Sequence, residues 1–225
     1  MKKLLPLLLA VLTALCLGGS ALALDTEDPY LSSAEALHEL GLFQGTGTNA
    51  DGTPIYDLDK TPSRNQALIM LVRLLGKEAE AKNGAWDIPF TDVSAEMKPY
   101  VGYAYAKGYT NGYTATLWRP NQTVSLNQYT EFLLRALGYS SVTNTDLSDT
   151  LDRAVSAGLI NSKESAALAK VTFLRSELVY LSFRSLDATV SGTMDTLSDT
   201  LIAKGVFTSA EAREGRALVS AKRLG

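Results

Sequence analysis

Pro62 to Gly76 reads PSRNQALIMLVRLLG, and its frame returns twice: VSLNQYTEFLLRALG at Val124 to Gly138 and FLRSELVYLSFRSLD at Phe173 to Asp187. Apolar residues fall at matching places: Ala67, Met70, Leu71 and Leu75; Tyr129, Phe132, Leu133 and Leu137; Leu178, Leu181 and Leu186. That spacing marks one buried face of a helix. An arginine stands in register in all three copies, as Arg73, Arg135 and Arg184. A self-similar chain must be read as a repeat before any local assignment is made.

The start of the repeated helix is specific. Ser63 with Gln66 and Ser125 with Gln128 form S-x-x-Q capping boxes; the third copy has Leu174 at the cap and Glu177 at N3. The first helical residue is therefore Arg64, Leu126 or Arg175. A cation there opposes the helix dipole at a cost of roughly 0.3–1 kcal/mol. Unpaired backbone N–H groups beside a guanidinium would seat a carboxylate or phosphate. Surface pairing of Arg64 and Arg175 with a nearby acid is the other reading of the same residues.

Each copy resembles the second half of an S-layer homology (SLH) domain, whose signature ends in a T-R-A-E box and an apolar helix closing on Leu-Gly. The boxes are Ser63-Arg64-Asn65-Gln66, Ser125-Leu126-Asn127-Gln128 and Leu174-Arg175-Ser176-Glu177. Upstream, the second copy fits best. Phe90-Thr91-Asp92-Val93 resembles the F-x-D-V opening, Gly108-Tyr109-Thr110-Asn111-Gly112 the glycine turn, and Leu117-Trp118-Arg119-Pro120 the step before the box. The first copy offers Gly41-Leu42-Phe43-Gln44-Gly45 and Tyr56; the third offers Gly158-Leu159-Ile160-Asn161 and a shortened loop.

The resemblance implies an all-α fold, with three helix-loop-helix repeats at 28–76, 90–138 and 146–187 closing into a pseudo-trimer. It also implies a function: non-covalent binding of an anionic, pyruvylated secondary cell-wall polysaccharide in grooves between lobes. Carried over residue by residue, the binding role falls on Arg64 and Arg175. Gln66, Gln128 and Glu177 shape the helix starts, Gly45 and Gly112 keep the groove backbone open, and Trp118 stands among the aromatics that could meet sugar rings. Leu126 departs from the pattern, so the second groove is expected to be weak and two sites at most to work. No catalytic residue, cofactor or metal is implied. A secreted helical scaffold with decayed sugar sites is the alternative, and a wall hydrolase using Asp57 and Asp59 is disfavoured because loop acids are usually solvated.

Residues 1–23 carry the marks of an export signal: Lys2 and Lys3, an apolar run from Leu4 to Leu17, and Ala21-Leu22-Ala23. Leu15 stands where a lipoprotein signal wants a small residue before Cys16. Cys16 is the single cysteine, so signal removal would leave no thiol for disulfides, catalysis or metal. It would also take two lysines and no acid from the 21 basic and 24 acidic residues. The remainder, 19 against 24, nets −5, which disfavours a nucleic-acid partner, and no membrane contact is expected after export. The expected location is the cell wall or surface.

Leu31 to Leu40, Tyr100 to Lys107 and Leu151 to Ala157 are expected as the first helices of the repeats, stopping at Gly41, Gly108 and Gly158. Ser32 and Glu35 form the expected cap of the first. Lys77 to Ile88 and Gly138 to Asp149 are expected as polar connections, and Gln44 to Thr61 as a long binding or surface loop. His38, the only histidine, has no triad partners near it in sequence. Residues 189–225 form an extension with two expected helices, Thr196 to Ala203 and Ala210 to Lys222. These are read as a cap on the repeat core, with a tail that engages another surface protein as the alternative.

Overall fold

The computed structural model describes residues 28–219 and 223–225, so the export-signal reading of residues 1–23 lies outside the described residues. The chain is predominantly helical, with one small two-stranded sheet among the described residues. Three helices in register with the repeated motif, α2 (Arg64–Leu74), α5 (Leu126–Ala136) and α8 (Arg175–Ser185), pack on one another in all three pairings. Their apolar stripes meet at the centre, where Leu68, Leu71, Leu133, Leu134, Val179 and Leu181 are buried.

A second ring of helices closes the assembly. The first helix of each repeat packs mainly on the central helix of the repeat before it rather than on its own. Thus α4 (Lys98–Ala106) lies on α2, α6 (Thr150–Ser156) lies on α5, and α1 (Pro29–Glu39) closes the circle on α8. One repeat of about 50 residues could bury little surface alone, and this exchange gives each lobe a shared core.

Local signals explain most of the boundaries. Ser63 and Ser125 each accept the N3 backbone N–H, while Gln66 and Gln128 return a bond to the cap N–H. Gly41, Gly108 and Gly158 end their helices at φ of +70°, +73° and +72°, backbone that a Cβ resists. The first helix departs from expectation at its start. Asp28, not Ser32, is the N-cap and accepts from Tyr30 and Leu31 N–H, because Pro29 is suited to the first helical position. Ser32 is buried inside the helix instead.

Three stretches read as loops carry structure. Helix α3 (Glu78–Asn83) interrupts the expected 77–88 connection: Glu78 and Glu80 sit favourably in its first turn and Ala81 is buried against its neighbours. Strands β1 (Gly47–Thr48) and β2 (Pro54–Ile55) form an antiparallel hairpin inside the 44–61 loop. Helix α7 (Ser162–Leu168) fills the supposedly shortened third loop, started by an Asn161–Glu164 capping box. In the extension, α9 (Leu197–Ala203) and α10 (Ser209–Leu218) follow Thr196 and Thr208 caps. Helix α10 ends four residues before the expected Lys222 and packs on α1, with Arg216 paired to Asp187, so the extension caps the repeats.

Candidate functional site

Two of the three central helices, α2 and α8, are sewn to a neighbouring repeat where they begin. Arg64 N–H donates to the Gln122 carbonyl at 2.9 Å, Asn65 N–H to Pro120 at 3.2 Å, and Val124 N–H to Pro62 at 3.1 Å. One seam away, Arg175 N–H donates to Lys60 at 2.9 Å and Ser176 N–H to Leu58 at 3.1 Å. The first two helical N–H groups of α2 and of α8 are therefore already satisfied by the neighbouring repeat. The expectation that they stand open for an anion is corrected; what the seam leaves for chemistry is the side chains.

Two grooves open along these seams. The second, about 500 Å³, is lined by Arg64 from α2, Gly112 and its loop, and Gln128, Glu131, Phe132 and Arg135 from α5. The first, about 410 Å³, takes Arg175 from α8, Gly45 and Asp57 from the first loop, and Gln66, Ile69, Met70 and Arg73 from α2. The central-helix positions are the same four in each case, offset by 62 residues. Each groove thus uses its own loop and its own glutamine, but borrows its arginine from the preceding repeat. The second groove consequently has Arg64, contrary to the expectation that Leu126 weakens it. By the same rotation Leu126 falls to the third lobe.

Arg64 is 3% exposed. Its guanidinium carbon stands 4.3 Å from the Trp118 ring centroid, with Tyr113 at 5.7 Å and Phe132 at 5.8 Å. Nε donates to the Trp118 carbonyl at 2.9 Å, whereas Nη2 is buried with no hydrogen-bond partner. A buried guanidinium N–H left without a partner is costly. Burial pulls the Arg64 pKa down to about 10, against the opposing pull of Tyr113 and Asp92. The group remains a cation at neutral pH, short of negative charge close by.

Trp118 is fully buried, so it cannot touch a bound polymer; it is the platform under Arg64. Its indole N–H donates to Asn65 Oδ1 at 2.7 Å, and Phe90 and Phe132 pack on its ring. Asp92 fixes the backbone of this segment, accepting from the Trp118 and Arg119 N–H groups at 2.8 Å each. Arg119, at φ +59°, turns back over the Tyr113 ring at 4.0 Å. Tyr113 is 39% exposed, so an aromatic face lies at the groove edge beside the buried cation. Gly112 has φ +88°, and a Cβ there would stand 2.2 Å from the Phe90 ring. Gly45 is equally constrained, its Cβ falling 2.4 Å from the Ile55 carbonyl oxygen.

Arg175 differs from Arg64. Its side chain is 13% exposed and its Nη1 lies 3.7 Å from Asp57 Oδ2, a loose pair, while Thr46 Oγ1 donates to the same oxygen at 2.7 Å. Asp57 thus belongs to the first groove, and Asp59 pairs with Lys60 on the surface. Gln66 and Gln128 line their grooves while also capping their helices. Glu177 lines neither groove. It is 4% exposed, and its Oε2 accepts from Leu174 N–H at 2.7 Å and Ser176 Oγ at 2.9 Å. It also raises the pKa of Tyr30, after the larger effect of burial.

The in-register arginines acquire a place that the sequence did not assign to them. Arg73 and Arg135 line the first and second grooves, the former paired with Glu78 at 3.1 Å, the latter with Glu131 at 3.0 Å. Glu131, only 2% exposed, also accepts from Arg153 at 2.8 Å and from Ser140 at 2.5 Å. His38 lines neither groove, though its Nδ1 lies 3.0 Å from the carbonyl of Phe43, which lines the first. Among the described residues no cluster of His, Cys, Asp or Glu could hold a metal ion, and no helix is long and apolar enough to cross a membrane.

A model of the S-layer homology domain matches residues 89–129, the stretch that supplies Asp92, the Gly112 turn, Trp118 and the start of α5. A surface layer protein of Brevibacillus choshinensis is 28% identical over 148 residues, which is 62% of this chain and 13% of that relative. The chain therefore spans a small part of the length of the curated relative it matches. Residues 89–129 thus resemble an S-layer homology domain, and the seam, the glycine turn and the arginine-bearing groove are all built from that segment and its neighbour.

Proposed function

We propose that the chain binds the bacterial cell wall non-covalently, holding an anionic secondary polysaccharide in its first and second grooves. The observation that carries the reading is Arg64: a cation 3% exposed, one nitrogen unpartnered, lining a groove of about 500 Å³. A carboxylate such as a pyruvyl ketal would supply the missing acceptor with charge-assisted geometry. Asn111, Thr110 and Gln128 line the same space with groups suited to sugar hydroxyls, and Tyr113 offers an aromatic face at its edge. Arg175 repeats the arrangement in the first groove, with Asp57 as an exchangeable partner. The surface layer relative supports a cell-surface role, and anchoring is the use to which we assign it.

Cosedimentation with purified wall sacculi, before and after removal of the pyruvyl ketal, tests the proposal. Retention should fall on ketal removal, and Arg64→Ala should weaken it by about 1–3 kcal/mol, the range of a hydrogen bond to a charged group. Retention indifferent to both changes would favour a helical scaffold acting through protein contacts.

A further inference from the structure

The third lobe is built differently on the face where the other two open. In register with the groove-lining residues of α2 and α5, helix α8 carries Glu177, Tyr180, Leu181 and Arg184, all 9% exposed or less. Glu164 of α7, with no exposed surface, reaches across to this face. Its carboxylate accepts from the Tyr180 hydroxyl and from the Asn161 N–H at 2.7 Å. Arg223 completes it as a fork, Nε to Oε1 at 2.8 Å and Nη2 to Oε2 at 2.6 Å. Beyond it, Leu224 N–H donates to the Tyr180 hydroxyl at 3.3 Å, Leu224 packs on the core, and Gly225 lies tight against Lys163.

We propose that the third lobe's groove is a guanidinium-binding site, opposite in polarity to the other two, and that its occupant is the chain's own Arg223. In the second groove the protein supplies a buried cation and lacks an anion. In the third, Leu126 stands where the borrowed arginine would be, and Glu164 supplies a buried carboxylate. A desolvated carboxylate needs a cation, and the two-point fork selects guanidinium over ammonium. Arg223 is the outer partner, its side chain 46% exposed against 0% for Glu164, so the pair can part from one side only. The segment 223–225 thereby closes the third lobe, and its site is unavailable to an anionic polymer.

The test is hydrogen exchange of the α7 amides in the full chain. Arg223→Ala should accelerate them by roughly tenfold to a hundredfold, the range expected for a lost charged hydrogen bond. Millimolar methylguanidinium should slow them again, whereas methylammonium at the same concentration should not. The double variant Arg223→Ala with Glu164→Gln should not respond to either. Unchanged exchange in Arg223→Ala, equal rescue by methylammonium, or rescue that survives Glu164→Gln each overturns the proposal. If Arg223→Ala fails to fold, Arg223→Lys is read instead: exchange intermediate between parent and the unlatched limit supports the fork, and parent-like exchange overturns it. Wall retention of Arg223→Ala should match the parent, so failure of the polymer reading leaves this result independent.

Discussion

Arg64 and Arg135 line the same groove, 3% and 8% exposed, yet their removal should have unequal consequences for the fold. Consider Arg64→Met, which keeps the stem volume and removes the charge. The guanidinium donates one hydrogen bond, to the Trp118 carbonyl, worth about 1.5–3 kcal/mol. It also lies over an indole ring, worth about 2 kcal/mol when desolvated. Against these stands burial, which brings its pKa down to about 10. At about 1.36 kcal/mol for each pH unit, that is about 3 kcal/mol of uncompensated desolvation. The first two terms exceed the third by only about 0.5–2 kcal/mol, so Arg64→Met should cost no more than about 2 kcal/mol.

Arg135→Met removes a compensated charge instead. Arg135 Nε pairs with Glu131 at 3.0 Å and Nη2 donates to the Asn144 carbonyl at 2.6 Å. Loss of these leaves Glu131, 2% exposed, with Arg153 as its remaining cation. A cost of about 3 kcal/mol follows, at the low end for breaking a buried pair because one partner stays. Urea unfolding followed by far-ultraviolet circular dichroism measures both. Wall retention should fall with Arg64→Met despite the small change in stability. A loss of 3 kcal/mol or more for Arg64→Met would make its guanidinium a structural cation and refute the reasoning that it awaits an external anion.

Gly112→Ala should cost about 2–5 kcal/mol in the same unfolding assay, from left-handed backbone plus overpacking on Phe90. Gly158→Ala, also left-handed but with nothing within 4 Å, should cost only about 1–2 kcal/mol, and equal losses would remove the steric argument. Acid sensitivity should trace in part to Glu78, whose carboxyl is desolvated but more than compensated by Arg73, Lys82 and Tyr100, reaching about 2 from an ordinary 4.5. Because the folded value is depressed, its contribution is present above about 4.5 and lost as pH falls towards 2. Glu78→Gln should therefore show about 2–3 kcal/mol less loss of stability across that window in urea titrations.

The central helices were legible because their signals are local and repeated: a serine cap, a glutamine at N3, an apolar stripe, a glycine stop. The same locality explains the failures. Asp28 outranked Ser32 because a proline at the next position fixes the backbone, a cue as local as the one chosen. Helix α7 is hidden because Asn161 ends the repeat's glycine turn and at the same time caps a helix with Glu164 three residues on. The export segment lies outside the described residues. The groove residues were half visible: Arg64, Gln128 and Gly112 come together, but nothing in a single repeat's spacing says that the arginine serves the next repeat's loop. That assignment depends on which first helix packs on which central helix, and no short-range pattern encodes it.

The borrowing has a physical origin in the seam. Arg64 is the residue whose own N–H bonds the Gln122 carbonyl, so its side chain is delivered to the neighbour by the same backbone contact that joins the repeats. Arg175 is tied to Lys60 in the same way, 115 residues earlier in the chain. At the third junction no backbone bond of this kind joins Leu126 or Asn127 to the segment before Phe173 among the described residues; Asn127 Nδ2 donates to the Leu147 carbonyl instead. The junction that lacks the seam is also the one whose arginine is replaced by leucine and whose groove face is covered by α7 and Arg223. Seam and site are therefore coupled features: where the backbone contact is present the cation is held at the groove, and where it is absent the lobe is sealed from within.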